Sequence, residues 1–443
     1  MDRGLDEALA KCDRAIARDP NHAEAWKNRG TVLLHLWYQT EADRIGEGVA
    51  RLNEALASFE RAIALKPHYA EAFNNRGAVL HLLGRVDEGL ASFDQAIAQR
   101  PAFTNALVNR GMGKLLLGNF REGWADYEWR WKLRGIPGMP PSTERRMWQG
   151  EDLAGRSIAV YALGQGFGDI FQFARYLPLL VRRGANVTLR ASTKVTRVLR
   201  PLLSGIEVIA SIERRERFDF SCAIMSLPFG FGTELETIPR DLPYLSAEPD
   251  LVAKWKGRLG DHGFKIGIGW QAEPSQDGGR SIPLAEFSAL CRLPGVRLIS
   301  LQKNFGLDQL ARLPAGAHVE ILGDEFDSGP DAFIDTAAVM ANLDLVVSAD
   351  ISVAHLAGAL GRPAWVGLPY IPDWRWLLDR EDSPWYPTMR LFRQEQDRKW
   401  NSVFSRIEKA LHRRLEDGPA SPYEAHTSAR SNSSGSKLSQ QIS

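Results

Sequence analysis

The stretch that decides the fold is "VVSADISVAHLAGALGRP", residues 346–363. An apolar run ends at Asp350, a short polar turn follows, and a stretch rich in Ala and Leu closes at Gly361 and Pro363. Gly is favoured just past the last turn of a helix, and Pro cannot continue the helical hydrogen-bond ladder. The pattern therefore predicts a buried strand, a turn and a helix, which is the building unit of a parallel α/β sheet.

The same rhythm of short apolar runs and helical stretches extends over most of the chain. A helical stretch at 169–184 separates the first two runs, as a crossover between parallel strands requires, and a linker and helix at 242–260 divide the runs into two groups. Since ligands of such sheets bind at the carboxyl ends of the strands, the predicted site is the cleft between two αβ units. The runs predicted as strands are 157–163, 186–191, 206–210, 218–225, 265–270, 297–302, 318–322, 343–349 and 363–368.

The first third of the chain contains an internal repeat. Three similar phrases end at Pro20, Pro67 and Pro101, and "NRG" recurs at 28–30, 75–77 and 109–111. The last two prolines are 34 residues apart, whereas the first two are 47 apart, which is 34 plus an insertion of 13 within residues 35–54. A period of 34 resembles the tetratricopeptide repeat, a pair of packed helices. The positions that match it are Trp26, Gly30, Ala55, Phe59, Ala62, Phe73, Gly77, Phe93 and Ala96.

The last repeat fades into "GWADYEWRWK", residues 123–132, which allows two interpretations. Aromatic rings interleaved with Arg130 and Lys132 could form a stacking strip for nucleic acid. Alternatively, the phrase is a terminal helix whose rings cover the end of the repeats and dock on the next domain. The phrase at 4–20 lacks a first helix of its own, which hints at missing upstream sequence.

Composition narrows the class of protein. The 443 residues are 44% hydrophobic and 25% charged with a net charge of +1, which gives no general reason to expect nucleic acid or an anionic membrane as partner. No apolar run reaches the length of about 18 residues that spans a bilayer. Three scattered cysteines indicate neither a disulfide framework nor a zinc site, so a reducing cytoplasm is the expected location.

The loop at 161–178 is the first candidate site. Gly166 and Gly168 let the backbone approach a ligand, and the helix that follows offers free N–H groups. Asp169 is either a helix N-cap, a position that Asp favours, or a catalytic group. A dinucleotide site is a further interpretation, but Arg190 stands where an acidic residue would bind the ribose, and Asp169 places negative charge near the pyrophosphate.

Two further loops complete the candidate site. Asp350 and Ser352 lie where the helix of the opening stretch begins, and His355 shares a face with Ser352. That turn is either a phosphate-binding end of a helix or a capped helix with one buried His. The other candidates follow strand ends in the second unit and suit a diphosphate through their charge and hydrogen-bonding groups: Arg280, Ser281, Gln302 and Lys303.

Several phrases together resemble the bacterial glycosyltransferases that join tetratricopeptide repeats to a heptosyltransferase-like catalytic part, glycosyltransferase family nine. They are "YEWRW", "GDIFQFARYLP", "RSIPL", "SLQ", "DTAAVMANLDLVVSAD", "SVAHLAGALGRPAW" and "PDWRWLLDREDSPWYPTMRLFRQ". The resemblance implies a GT-B fold, two facing Rossmann-like domains with the site between them. It implies Asp169 as general base, Arg280 as a ligand of the donor phosphates, and the turn from Asp350 to His355 as a diphosphate cradle.

The sequence departs from the family pattern at three places. Gly164-Gln165-Gly166, with Leu163 just before it, stands where relatives usually carry Glu-Gln-Gly. Ile351 replaces a hydroxyl-bearing residue, and Glu273 stands in a loop expected near phosphate. These departures keep open the alternative of a catalytically silent repeat scaffold that binds a protein. A nicotinamide oxidoreductase, based on the glycine loop alone, is the third hypothesis.

We therefore expect a helical repeat solenoid followed by a GT-B-like α/β pair. The expected function is metal-independent transfer of a sugar from a nucleoside-diphosphate sugar to a protein or glycan acceptor presented with help of the repeats. No cofactor, metal, nucleic acid or membrane span is expected. The predicted divisions are repeats at 1–134, a linker at 135–153, an acceptor-side Rossmann-like domain at 154–250, a nucleotide-sugar domain at 251–415 and a disordered tail at 416–443.

Overall fold

A computed structural model describes residues 2–40, 45–133, 146–210 and 218–417. A helical region comes first, and two parallel sheets with crossover helices follow it. The predicted fold class, a helical repeat solenoid followed by two Rossmann-like α/β units, is therefore confirmed. Residues 135–145 of the expected linker and 418–443 of the expected tail lie outside the described residues. In the part of the chain that is described, no helix has both the length and the apolar run that a membrane crossing requires.

Helices of the repeat region pack in antiparallel pairs around small residues. A Cβ added at Gly77 would lie 2.6 Å from Cε1 of Phe93, and one added at Gly30 would lie 2.8 Å from the ring of Phe59. Only Gly lets each helix approach its neighbour this closely, and the phenylalanine ring fills the space between them. The helices are α1 (Asp2–Arg18), α2 (Ala23–Tyr38), α3 (Ile45–Leu65), α4 (Ala70–Leu82), α5 (Val86–Gln99), α6 (Thr104–Leu116) and α7 (Phe120–Tyr127), and a 3-10 turn at Glu128–Lys132 follows.

The arginine of each "NRG" phrase bridges the helices on either side of its own. Arg29 on α2 contacts Asp13 on α1 at 2.8 Å and Glu54 on α3 at 3.0 Å. Arg110 on α6 repeats this arrangement with an acidic residue on α5 and another on α7. The phrase recurs in the sequence because each copy supplies both a close-packing glycine and a charged bridge.

The first sheet, with its helices, forms the N-terminal unit. Four parallel strands lie in the order β3-β2-β1-β4. The single helix predicted at 169–184 is wrong, because one helix ends at Ala174 and a second begins at Leu177. Pro178, which has no N–H to donate, lies in the first turn of the second helix. The elements are β1 (Ser157–Tyr161), α8 (Phe167–Ala174), α9 (Leu177–Arg182), β2 (Asn186–Arg190), α10 (Thr193–Leu199), β3 (Ile206–Ile209), β4 (Phe220–Ala223) and α11 (Leu227–Gly230).

The second sheet, with its helices, forms the C-terminal unit, and its five parallel strands have the order β6-β5-β7-β8-β9. The strand predicted at 318–322 is wrong: only Glu320 bridges to β6, because the chain turns at Gly323, whose φ is +81°. The last strand of the sheet was not predicted. The elements are α12 (Pro249–Leu259), β5 (Phe264–Gly269), α13 (Ser288–Cys291), β6 (Val296–Ser300), α14 (Ile334–Ala341), β7 (Leu345–Ala349), α15 (Ser352–Ala359), β8 (Ala364–Leu368), β9 (Met389–Arg393) and α16 (Trp400–Glu416).

The repeat region docks on both α/β units through its last helix and the 3-10 turn that follows. Trp124 is 1% exposed, and its indole N–H donates to the carbonyl of Thr233 in the N-terminal unit. The same ring lies 5.1 Å from that of Trp374 in the C-terminal unit. Arg130 is buried and donates to Ser226. The docking interpretation of the aromatic phrase is therefore confirmed, and the buried Trp124 and Arg130 are not available for stacking on a nucleic acid.

Candidate functional site

Two helices, one from each α/β unit, meet at the carboxyl ends of their sheets. α8 follows β1 through the glycine loop, and α15 follows β7 through the turn at Asp350. The contact is close because a Cβ on Gly168 would lie 2.8 Å from Cδ2 of His355. The structure thus brings together Gly168, Asp169 and His355, which lie far apart in the sequence.

Arg375 joins the two units at this contact. Its Nη2 donates to Oδ1 of Asp169 at 2.8 Å, and its Nε lies 3.4 Å from Oδ1 of Asp373. The guanidinium is buried, whereas the Asp169 side chain keeps 22% of its surface exposed. Asp169 is therefore a charged, oriented carboxylate that solvent or a ligand can still reach.

Asp350 is buried at the base of the same cluster. Neither carboxylate oxygen accepts a short hydrogen bond, and the nearest basic nitrogen is Nε2 of His355 at 3.5 Å from Oδ1. Burial raises the pKa of Asp350, but the Nε2–H of His355, which points at Oδ1 as a long hydrogen bond, and the charges of Arg375 and Arg280 outweigh it and hold that pKa at about 2. Asp350 is therefore a buried negative charge that two arginines of the cluster compensate.

His355 is held as a neutral ring. Burial lowers its pKa below the usual value, although the neighbouring Asp350 opposes this shift. Its Nδ1 lies 3.0 Å from the hydroxyl of Tyr386, whose own pKa burial raises well above its usual value. The phenol therefore donates to Nδ1, and the imidazole proton resides on Nε2, facing Asp350.

Replacing Asp350 by Asn is expected to lower stability at pH 7 and to flatten its acid dependence. The pKa of this carboxyl is about 2 in the folded chain but about 3.9 when unfolded. Its ionisation therefore favours the folded state above pH 4, and this contribution, on the order of 2 kcal/mol, is lost as the pH falls towards 2. Urea unfolding of both chains at pH 7, 5, 4 and 3 measures the difference, which should shrink below pH 4. A constant difference across this range would contradict the assignment.

The loop between β5 and the next helical turn carries Arg280 and Ser281. The Ser281 hydroxyl accepts hydrogen bonds from the N–H of Ala272 and the side chain of Gln271, both at 2.9 Å, so it shapes the loop. Arg280 donates to the carbonyl of Asp277, and its charge acts on Asp350. Of these two predicted ligands, Arg280 belongs electrostatically to the cluster, while Ser281 supports the loop that carries it.

Gln302 and Lys303 follow the end of β6. The Gln302 carbonyl oxygen accepts from the backbone N–H of Trp270 at 2.9 Å and of Gln271 at 3.0 Å, and its amide donates back to Gln271. The ammonium of Lys303 donates to the carbonyl of Phe326. Both side chains thus fix neighbouring backbone, and their role as donor ligands stays a prediction.

A surface groove of about 460 Å³ lies beside the loop after β5. Gln271, whose side chain also bonds Ser281, forms part of its wall. Phe305 is among the residues that line the groove, and 42% of its surface is exposed. An aromatic ring beside amide groups and Arg312 offers a stacking surface and hydrogen-bonding partners to a planar ligand.

Two of the sequence departures have clear structural positions. Ile351 precedes the first residue of α15 and provides no side-chain cap, so the first N–H groups of that helix are left to other partners. Glu273 is exposed, and its carboxylate accepts from Ser275 within the same loop. Ser352 begins α15, and the described structure shows no hydrogen bond to its hydroxyl.

Sequence reasoning missed Arg375, Asp373 and Tyr386. One signal could have found the first two: they follow β8, whose carboxyl end lies at the same sheet edge as the turn at Asp350. Within the described ranges, no three or more His, Cys, Asp or Glu side chains are grouped so that they could hold a metal ion.

Comparison with known proteins gives two kinds of likeness. The model of the TPR repeat matches residues 51–84, and that of the protein prenyltransferase alpha subunit repeat matches residues 5–36. The chain contains tetratricopeptide repeats. Their helices are the ones that the arginines of the "NRG" phrases bridge. The resemblance of the first third of the sequence to the tetratricopeptide repeat is therefore confirmed.

The remaining likenesses extend over more than half of the chain. Protein FlbA of Caulobacter vibrioides is 30% identical over 288 residues, 60% of this chain and 48% of that protein, so the chain spans about half the length of this curated relative. ADP-heptose LPS heptosyltransferase II of E. coli is 16% identical with a TM-score of 0.42, covering 60% of this chain and 100% of that one. An O-GlcNAc transferase mutant of Thermobaculum terrenum is 15% identical with a TM-score of 0.30, covering 93% and 90%.

Proposed function

We propose that this chain is a glycosyltransferase that moves a sugar from a nucleoside-diphosphate sugar to an acceptor hydroxyl on a protein or glycan. One observation carries the proposal: a helix from each of two parallel sheets meets the other at the carboxyl ends of the sheets, with the Asp169–Arg375 ion pair at this contact and the charge of Arg280 acting on it. Helix N-termini and arginines are the groups that bind diphosphates. A carboxylate beside them can accept a proton.

The donor diphosphate would bind at the start of α15. Its free N–H groups, the Ser352 hydroxyl and Arg280 can together stabilise the charge that develops on the leaving diphosphate. No metal ion enters the proposal, because these groups supply the positive charge. The groove beside Phe305, next to the loop that bears Arg280, has room for the nucleoside.

Asp169 would act as general base. Arg375 donates to Oδ1, and Oδ2 would accept the proton of the acceptor hydroxyl. As the acceptor oxygen bonds to the anomeric carbon, the bond from that carbon to the donor phosphate breaks and the proton moves to Asp169. The ion pair orients the carboxylate, which is a condition for this role.

The tetratricopeptide repeats would present the acceptor. Their tight docking on both α/β units places any bound protein or glycan at a fixed distance from the cleft. A reducing cytoplasm suits a chain with three free cysteines.

A catalytically silent scaffold is the second candidate. Ile351 at the start of α15 has no hydroxyl to donate, and Asp350 places a buried negative charge beside the proposed phosphate position. In that case, the repeats would bind a partner protein and the cleft would bind no donor.

Thermal unfolding with a panel of uridine, guanosine, adenosine and cytidine diphosphate sugars tests the proposal. A donor at 100 times its dissociation constant should stabilise the chain by about 2.7 kcal/mol, and mass spectrometry should then detect released or transferred sugar. NAD and NADP serve as controls for the oxidoreductase hypothesis. If no donor shifts the unfolding transition, the scaffold is favoured.

A further inference from the structure

The repeat region reaches the proposed site through one pair of tryptophans. Trp124 on α7 meets Trp374 at 5.1 Å with the ring planes at 85°, an edge-on contact. Trp374 immediately precedes Arg375, whose guanidinium contacts Asp169. A continuous row of contacts therefore leads from the last repeat helix to the proposed base.

Trp124 has little freedom to move. Its indole N–H donates to the carbonyl of Thr233 in the N-terminal unit at 3.0 Å, while its ring packs against the C-terminal unit. A single side chain of the repeats thus touches both units, so its position fixes how the loop at Trp374 lies over α8.

The contacts around Trp374 link the position of Trp124 to that of Arg375. Its ring lies 6.4 Å from Phe173, which is on α8 with Asp169, and 6.2 Å from Tyr127 on α7. Asp373 caps the following 3-10 turn by accepting from the N–H of Arg375 at 3.1 Å. The backbone position of Arg375 therefore depends on the ring of Trp374, which packs against Trp124 and Tyr127 of the repeat region.

Tyr127 adds a second link from the same helix. Burial raises the pKa of its hydroxyl, Arg130 opposes the shift, and Asp373 and Asp169 add to it. The phenol is therefore neutral at physiological pH and lies within the electrostatic reach of the cluster.

We propose that the last repeat helix positions the base, with Trp124 acting through Trp374 and Arg375 to hold the Asp169 carboxylate towards the acceptor. This inference rests on the proposed function. The repeats are then a structural part of the transfer site, in addition to presenting the acceptor, and Trp124 is a positioning residue that touches no substrate.

Replacing Trp124 by Phe in the full chain tests this. The probe is the nucleoside-diphosphate sugar that gives the largest thermal shift with wild type, and release of its sugar is followed at varied donor concentration. We expect kcat to fall about tenfold and the donor KM to stay within twofold, because Arg280 and the start of α15 are unchanged.

Trp37→Phe is the matched control. Trp37 lies on α2 at another contact of the repeats with the C-terminal unit, where the guanidinium of Arg398 stands 5.2 Å from its ring. The substitution is the same, but Trp37 does not belong to the row that leads to Asp169. Its kcat should match wild type, and an equal loss in both variants would overturn the proposal.

A double-variant cycle with Arg375→Lys tests the route. If Trp124 acts through Arg375, the double variant should be no slower than Arg375→Lys alone, whereas multiplied losses would overturn the proposal. Should Trp124→Phe fail to fold, Trp374→Phe weakens the same row at its other ring, which lies 5.1 Å from that of Trp124, and a kcat unchanged from wild type in that variant would overturn the proposal. If the wild-type chain releases sugar from no donor, the proposed function is overturned together with this inference. The two failures are distinguishable, because this one appears in the wild-type chain and a failure of the inference alone appears only in the variants.

Discussion

Replacing Asp169 by Asn is expected to abolish sugar transfer while leaving the chain folded. The amide keeps the shape of the side chain and an oxygen that can accept from Arg375, which now bonds Oδ1 at 2.8 Å. It cannot take the proton of the acceptor hydroxyl, and loss of a general base lowers rates by about 10²- to 10⁴-fold. Transfer from the donor identified by the thermal panel, measured as the initial rate at saturating donor, gives the size of the loss.

Asp152→Asn is the matched control for this substitution. Asp152 precedes β1 in the same unit, and its carboxylate accepts from the N–H of Ala154 at an exposed turn. The same change of charge there should leave the rate within twofold. If Asp169→Asn transfers sugar at the wild-type rate while its unfolding midpoint is unchanged, Asp169 is not the base.

Local patterns predicted the parts of the fold that depend on neighbouring residues. The period of 34 located the helices of the repeats, and the apolar runs located eight of the nine strands in the described part of the chain. The prediction at 169–184 failed because apolar periodicity continues through Pro178, where the hydrogen-bond ladder does not. β9 was missed because it lies within a phrase that is dense in aromatic residues. Such a phrase can be helical or extended, and pairing with the sheet decides which form it takes.

The chemical roles of polar residues were harder to predict. Gln302 follows a strand end, as a ligand would, but its amide satisfies three backbone groups of a neighbouring loop. The partner of Asp169 is 206 residues away in the chain, and no local pattern links them. Such pairs exist only because the two α/β units and the repeats dock in one arrangement, which aromatic contacts between distant segments determine.

That docking leads to a second prediction with a large effect: Gly168→Ala should destabilise the chain and loosen the cleft. The added Cβ would lie 2.8 Å from Cδ2 of His355. The imidazole cannot move aside easily, because Tyr386 holds its Nδ1 at 3.0 Å and the ring of Trp376 stacks on it at 5.4 Å. Overpacking of this kind costs about 1–3 kcal/mol, and relief requires α8 and α15 to separate.

Gly166→Ala is the matched control for stability, since it lies in the same loop. Its φ of −61° suits Ala, and the nearest atom to the added Cβ is Oδ2 of Asp169 at 3.5 Å, an ordinary contact. Its unfolding free energy in urea should stay within about 0.5 kcal/mol of wild type. Equal midpoints for the two variants would show that the helices do not meet as closely as described. A loss confined to Gly168→Ala, together with weaker donor binding, would mean that the closeness of this one helix contact sets the width of the cleft.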